Sequence, residues 1–204
     1  MLKKHIEPIV LRAITVAAAG ALTLVCNTAN AQWYAGASIG QSKMKDASTQ
    51  LIGTTFDDTD TAWKVYGGYQ FHPNVGVEFG YINFGTFKGS GSAPGLGALS
   101  DSWKATGINV SAVGTLPLGT AFSLIGKIGL TSWSVDDKFS VQALGAGSAK
   151  ENGVDPSFGV GAQYAFTKQL VGRVEYEVFT NVGKENTTGK SDIDVLSIGV
   201  VYKF

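Results

Sequence analysis

The sequence predicts an all-β fold, a closed antiparallel up-and-down transmembrane β-barrel of about eight strands. Three observations carry this. Apolar and small or polar residues alternate with a period of two through eight segments, which gives each segment two different faces. The connections between segments alternate between short and long. Aromatic residues gather at the ends of the apolar faces, where a membrane barrel carries its two interfacial girdles.

The segments follow in order. Trp33, Ala35, Ala37 and Ile39 alternate with Tyr34, Gly36, Ser38 and Gly40. Trp63, Val65, Gly67, Tyr69 and Phe71 oppose Lys64, Tyr66, Gly68 and Gln70; Val75, Val77, Phe79 and Tyr81 oppose Gly76, Glu78 and Gly80. Thr106, Ile108, Val110, Ala112 and Leu116 share a face, against Asn109, Ser111 and Thr115. Phe122, Leu124, Ile128 and Leu130 stand against Ser123, Lys127 and Thr131. Phe158, Val160, Ala162, Tyr164 and Phe166 alternate with Ser157, Gly159, Gly161 and Gln163. Leu170, Val174, Tyr176 and Val178 alternate with Arg173, Glu175 and Glu177, and finally Leu196, Ile198, Val200, Tyr202 and Phe204 with Ser197, Gly199 and Lys203. Each segment is close to the roughly 9–11 residues with which a tilted strand crosses a bilayer.

Tight connections are expected at His72-Pro73-Asn74, 117–120 and 167–169, and long polar external loops at 42–60, 85–102, 136–156 and 181–192. Short turns on the periplasmic side and long loops outside are the up-and-down pattern, and an even strand count puts both ends in the periplasm. A soluble barrel would turn its apolar face inward and its charges to water. Here the polar face is mostly Gly, Ser, Thr, Asn and Gln with isolated charges, and closure satisfies every backbone hydrogen bond without water, as lipid requires.

The first 31 residues read as a cleaved Sec signal peptide. Lys3, Lys4 and Arg12 form a basic start, an uncharged apolar run extends from Ala13 to Val25, and Ala29 and Ala31 make a small-x-small site before Gln32. The apolar run falls short of the roughly 20 residues a membrane helix needs. Cys26 is preceded by Val25, too large for a lipoprotein box. The expected mature domain is 32–204, with no cysteine and therefore no disulfide. Loss of Lys3, Lys4, Arg12 and Glu7 leaves a formal charge of −2, which gives no basic excess for a nucleic-acid partner.

Three stretches resemble the membrane domain of the OmpA family and its small single-domain relatives: Trp33-Tyr34-Ala35-Gly36-Ala37-Ser38-Ile39-Gly40, Gly67-Gly68-Tyr69-Gln70-Phe71-His72-Pro73-Asn74-Val75-Gly76-Val77-Glu78-Phe79-Gly80-Tyr81, and Arg173-Val174-Glu175-Tyr176. The second is the most specific. The resemblance implies an eight-stranded barrel in the outer membrane of a Gram-negative bacterium, without enzymatic activity. Full-length OmpA adds a periplasmic domain that holds peptidoglycan. With Phe204 at the end of the last strand, that tethering role is not carried over. A terminal aromatic after alternating apolar residues also looks like the address read by the barrel-assembly machinery, so Phe204 is an expected assembly signal. The expected partners are outer-membrane lipid, lipopolysaccharide and that machinery, with the barrel itself a monomer.

Catalysis finds little footing. Outer-membrane enzymes of similar architecture use His with Ser or Asp, but His5 leaves with the signal and His72 sits in a periplasmic turn with no paired nucleophile. Asp57, Asp58 and Asp60 could face a divalent cation but lack regular ligand spacing, so a solvated loop is expected, with no metal and no cofactor. The glycine-rich run at 89–97 has no following Gly-Lys-Ser/Thr and reads as a loop.

The informative constellation is inward-facing. Lys64, Glu78, Lys127, Arg173, Glu175 and Glu177 fall on the polar face, three positive and three negative. Ionisable groups at membrane depth must pair. Glu78 and Arg173 lie equally far from their periplasmic turns, and Lys127 can reach down to them. The bland reading is a salt-bridged plug in a lumen about filled by side chains; the sharper one is a gate in which partner exchange opens a narrow water path. The expected function is therefore structural or surface-contact with at most weak, gated permeability. A narrow diffusion porin, and an adhesin or resistance factor acting through the external loops, are the alternatives.

Overall fold

The computed structural model describes residues 32–45, 54–93, 95, 97–143 and 145–204. The expectations for 1–31, including Ala29, Ala31 and cleavage, lie outside the described residues; Gln32 is the first residue of the first strand. Among the described residues every element is a strand: β1 Gln32–Met44, β2 Thr54–Asp57, β3 Thr59–His72, β4 Val75–Ala93, β5 Gly97–Pro117, β6 Phe122–Val141, β7 Gly145–Ala165, β8 Leu170–Lys184 and β9 Gly189–Lys203.

Eight of these close a ring. Each pairs antiparallel with its sequence neighbour, β1 pairs β3, and β9 returns to β1, with Ala37 opposite Val200 and Ile39 opposite Ile198. Closure leaves no unpaired edge within the membrane, the condition on which a sheet can stand in hydrocarbon. The alternation sorts the faces as the sequence implies. Ile39, Phe79, Ile128, Val160 and Ile198 point outward and are 58–64% exposed, while their polar-parity neighbours turn into the lumen. Ring pairs Trp33–Tyr69 and Trp63–Tyr81 mark the two ends of the lipid-facing belt, with centroids 4.7 and 5.5 Å apart.

The external side departs from expectation. The long loops foreseen at 85–102 and 136–156 are mostly strand. β4 to β7 run 19–21 residues, about twice the roughly 9–11 that cross the bilayer. Backbone pairing carries them outward: β5 and β6 stay in register from Pro117–Ser123 to Leu99–Val141, and β6 and β7 from Phe122–Tyr164 to Val141–Gly145. Gly, Ser, Thr and Asn in these stretches gave no hydrophobic period, but ladder hydrogen bonds need none. β2 continues this wall by pairing with Lys88 to Gly91 of β4, beyond the point where β3 leaves it.

Two irregularities shape the mouth. β4 bulges against β5 at Asn83/Gly85, where Gly85 takes φ +92°. Asp60 holds the bulge through its Oδ2, which accepts from the Thr86 amide at 2.5 Å, and Asn83 Oδ1 accepts from the Gly85 amide at 2.9 Å. β8 bulges between Phe179 and Val182, with Asn181 at φ 57°, and swings away from β7, whose pairing with β8 starts at Ser157.

Candidate functional site: the barrel interior

The interior has two layers of opposite chemistry. The lower holds the six charged residues, which the structure brings into one connected cluster. Glu78 lies on β4, Lys64 on β3, Lys127 on β6, and Arg173, Glu175 and Glu177 on successive inward positions of β8. All six are at most 8% exposed. Glu78 sits between two cations, with Lys127 Nζ at 2.5 Å and Arg173 Nη1 at 2.7 Å. Lys127 Nζ also lies 2.5 Å from Glu175 and 3.7 Å from Glu177. Lys64 bridges Glu175, at 3.0 Å, and Glu177. With three cations and three carboxylates the cluster is neutral, which is how buried charge is tolerated at all.

Neutral groups complete it. Tyr34 Oη donates to Glu78 at 3.2 Å. With its amide oxygen turned inward, Gln163 accepts from Arg173 Nε and Nη2 at 2.7 Å each. The Tyr66 ring lies 5.0 Å from Lys64, 5.4 Å from Lys127 and 5.0 Å from Arg173, so three cations surround one aromatic. Gly36 and Gly68 make this possible, since a Cβ on either would fall within the Tyr66 or the Tyr34 ring. Above, Asn109 Nδ2 donates to Thr131 Oγ1 and Ser157 Oγ, both at 2.8 Å, and Ser111 Oγ donates to Asn109 Oδ1.

The second layer, toward the cell exterior, is apolar and was not among the expectations. Ile82, Phe84, Phe87, Trp103, Ala105, Trp133, Val135, Phe179, Val182 and Ile193 form one core, each at most 5% exposed. Phe84 and Phe179 meet edge to face with centroids 4.8 Å apart. Trp103 Nε1 donates across the mouth to the Thr188 carbonyl at 2.8 Å, which draws the β8–β9 tip over the opening. Trp133 Nε1 donates to Asp155 Oδ2 at 2.8 Å. The parity of the lower strand does lead to Ile82, Phe84, Trp133 and Phe179. Phe87 points inward only because the bulge shifts the alternation by one.

The remaining candidates have local roles. Asp57 Oδ1 accepts from the Thr59 amide and hydroxyl, Asp58 faces Lys43 at 3.9 Å, and Asp60 holds the bulge, so the three carboxylates do not converge. His72 Nδ1 accepts from the Asn74 amide at 3.2 Å inside its turn. Phe204 meets Tyr202 edge to face with centroids 5.3 Å apart, 71% exposed at the periplasmic rim. Outside the membrane, burial together with the neighbouring Asp101 carboxylate pushes the Asp137 carboxyl up to about 7, and Lys45 is raised by its hydrogen bond to Asp194 at 3.0 Å.

A closed eight-stranded ring with an apolar outer belt and a neutralised ionic interior is an integral β-barrel of the bacterial outer membrane. The chain belongs to the OmpA-like transmembrane domain family, whose sequence profile matches residues 28–204. It is 31% identical over 196 residues to Outer membrane protein A of Salmonella typhi and 30% over 194 residues to that of Shigella flexneri, in each case over 94% of this chain. The chain spans about half the length, 54%, of these curated relatives. Among solved structures it is similar to Neisserial surface protein A, with TM-score 0.58 and 16% identity over 86% of this chain and 99% of the other. It is also similar to Ail, the attachment invasion locus protein of Yersinia pestis, with TM-score 0.55 and 17% identity over 85% and 99%. These two likenesses are likenesses of fold.

Proposed function

We infer that this barrel is a non-enzymatic structural and surface-contact element, held in the membrane as a sealed monomer. The observation that carries this is the double closure of the lumen. Exchange of Lys127 between Glu78 and Glu175, both 2.5 Å away, would shift charge within the lower layer, yet Phe84, Phe179, Phe87 and Trp103 would still close the path above it. An apolar constriction of this kind excludes water and ions even where its lining fluctuates. The long β4–β7 wall then offers the exposed surface for contact with lipopolysaccharide or other cells. His72, occupied in its turn, supports the absence of catalysis. Entry through the barrel-assembly machinery, read from Phe204, belongs to the same proposal.

Single-channel recording in planar bilayers tests it, with the intact protein beside a variant whose β8–β9 tip and β4–β7 extension are shortened. Intact protein gives no sustained steps; shortened protein gives brief ones. Steady conductance from the intact barrel would make it a diffusion pore and overturn the reading.

A further inference from the structure

We propose that the periplasmic end of the lumen is a binding site for a phosphate-type oxyanion. Beneath the ionic cluster lies a cavity of about 180 Å³, walled by Tyr34 and roofed by Arg173, and it opens between the short turns. Lys203, Gln163, Thr115 and Ser123 also line it, and among the described residues no Asp or Glu side chain does.

The charge balance makes this end different from the rest of the lumen. The cluster above neutralises itself, and Glu78 balances Arg173 on its upper side at 2.7 Å. Lys203, half-buried on the inward parity of β9, adds a positive charge that no carboxylate of the cavity wall answers. Held in a low-dielectric wall, an unanswered cation focuses potential into the cavity and raises the local concentration of anions. The cavity holds about six waters' worth of volume at roughly 30 Å³ each. That is room for one tetrahedral anion with part of its hydration. Donors converge from several strands: an ammonium from β9, a guanidinium from β8, an amide from β7 and hydroxyls from β5 and β6. A spread of donors around a volume suits an ion with oxygens in every direction better than a flat carboxylate.

The phosphate could reach the mouth as a free ion or as a phospholipid headgroup from the inner leaflet, and the experiment separates them. The folded barrel in dodecyl maltoside, which carries no phosphate, is titrated with inorganic phosphate against chloride at matched ionic strength while backbone amide shifts are followed. In a second arm the barrel is placed in nanodiscs containing phosphatidylglycerol, without added phosphate. Saturable shifts at residues 113–123, 163–165 and 201–203 in the first arm identify the free ion. The same shifts in the second arm alone identify the headgroup; either supports the site. Lys203→Met should weaken the response about tenfold or more, the scale of one charge-assisted hydrogen bond, and Lys203→Arg should retain it. Absence of saturable shifts in both arms, or shifts that survive Lys203→Met unchanged, would overturn the proposal.

Discussion

Replacing Glu78 with alanine removes the carboxylate that two buried cations share. The interior passes from neutral to a net charge of +1 while all its walls stay dry. Breaking a buried pair by deleting one partner costs about 3–5 kcal/mol, chiefly through the charge left behind. The geometry places this case at the lower end. Lys127 keeps Glu175 at 2.5 Å and Glu177 at 3.7 Å. Arg173 keeps Gln163, but its nearest remaining carboxylate is Glu175 at 3.7 Å, and it loses a 2.7 Å contact. Glu78→Ala should therefore cost about 3 kcal/mol, nearly all of it through Arg173. In the double variant with Arg173→Ala, the two remaining cations face two carboxylates and neutrality returns. The double change should then cost less than the sum of the singles by about 1–3 kcal/mol. The assay is equilibrium urea unfolding of barrels refolded in phospholipid vesicles, read by tryptophan fluorescence and by the mobility difference between unheated and boiled samples on SDS gels. Additivity within about 0.5 kcal/mol would show that Glu78 and Arg173 do not act on each other, and the reasoning about this interior would fail.

Further outcomes follow from the other layers. Phe84→Ala opens the apolar layer and should destabilise by about 3–5 kcal/mol; because each layer narrows the lumen on its own, conductance should rise more in Glu78→Ala/Phe84→Ala than in the two single variants together. The Asp137 carboxyl, raised to about 7 in the fold, favours its protonated form there. Its contribution to stability is present below the unfolded carboxylate value and is lost as pH rises through about 7, so the protection factors of amides 133–141 and 97–105, taken relative to the intrinsic base-catalysed exchange rate, should fall between about pH 4 and 7, with Asp137→Asn flattening that dependence. Deleting Phe204, whose ring is mostly exposed, should lower the yield in the outer membrane while refolding into detergent stays near normal; equal loss in both would reduce it to a packing residue.

The period-two pattern of the membrane segments was determined by the sequence itself. The side-chain direction of a strand is a local property, and lipid outside with packed charge inside leaves opposite residues on alternate positions. Trp33 to Ile39 and Leu170 to Val178 are legible for that reason, as are the turn at Pro73 and the inward direction of Lys64, Glu78, Lys127, Arg173, Glu175 and Glu177. Tertiary structure decided which of these meet. Glu78 and Arg173 are 95 positions apart and touch because closure of β1 on β9 fixes the register of every strand around the ring. The outer half was hidden for a different reason. Ladder hydrogen bonds between β4, β5, β6 and β7 extend strands through Gly, Ser and Thr that carry no hydrophobic signal. The Asn83/Gly85 bulge then turns Phe87 inward against the parity of its own strand. Trp103 finds the Thr188 carbonyl across the mouth, 85 positions away. A seal made of such contacts exists only once the ring is closed, because pairing across the sheet brings its members together and no local preference does.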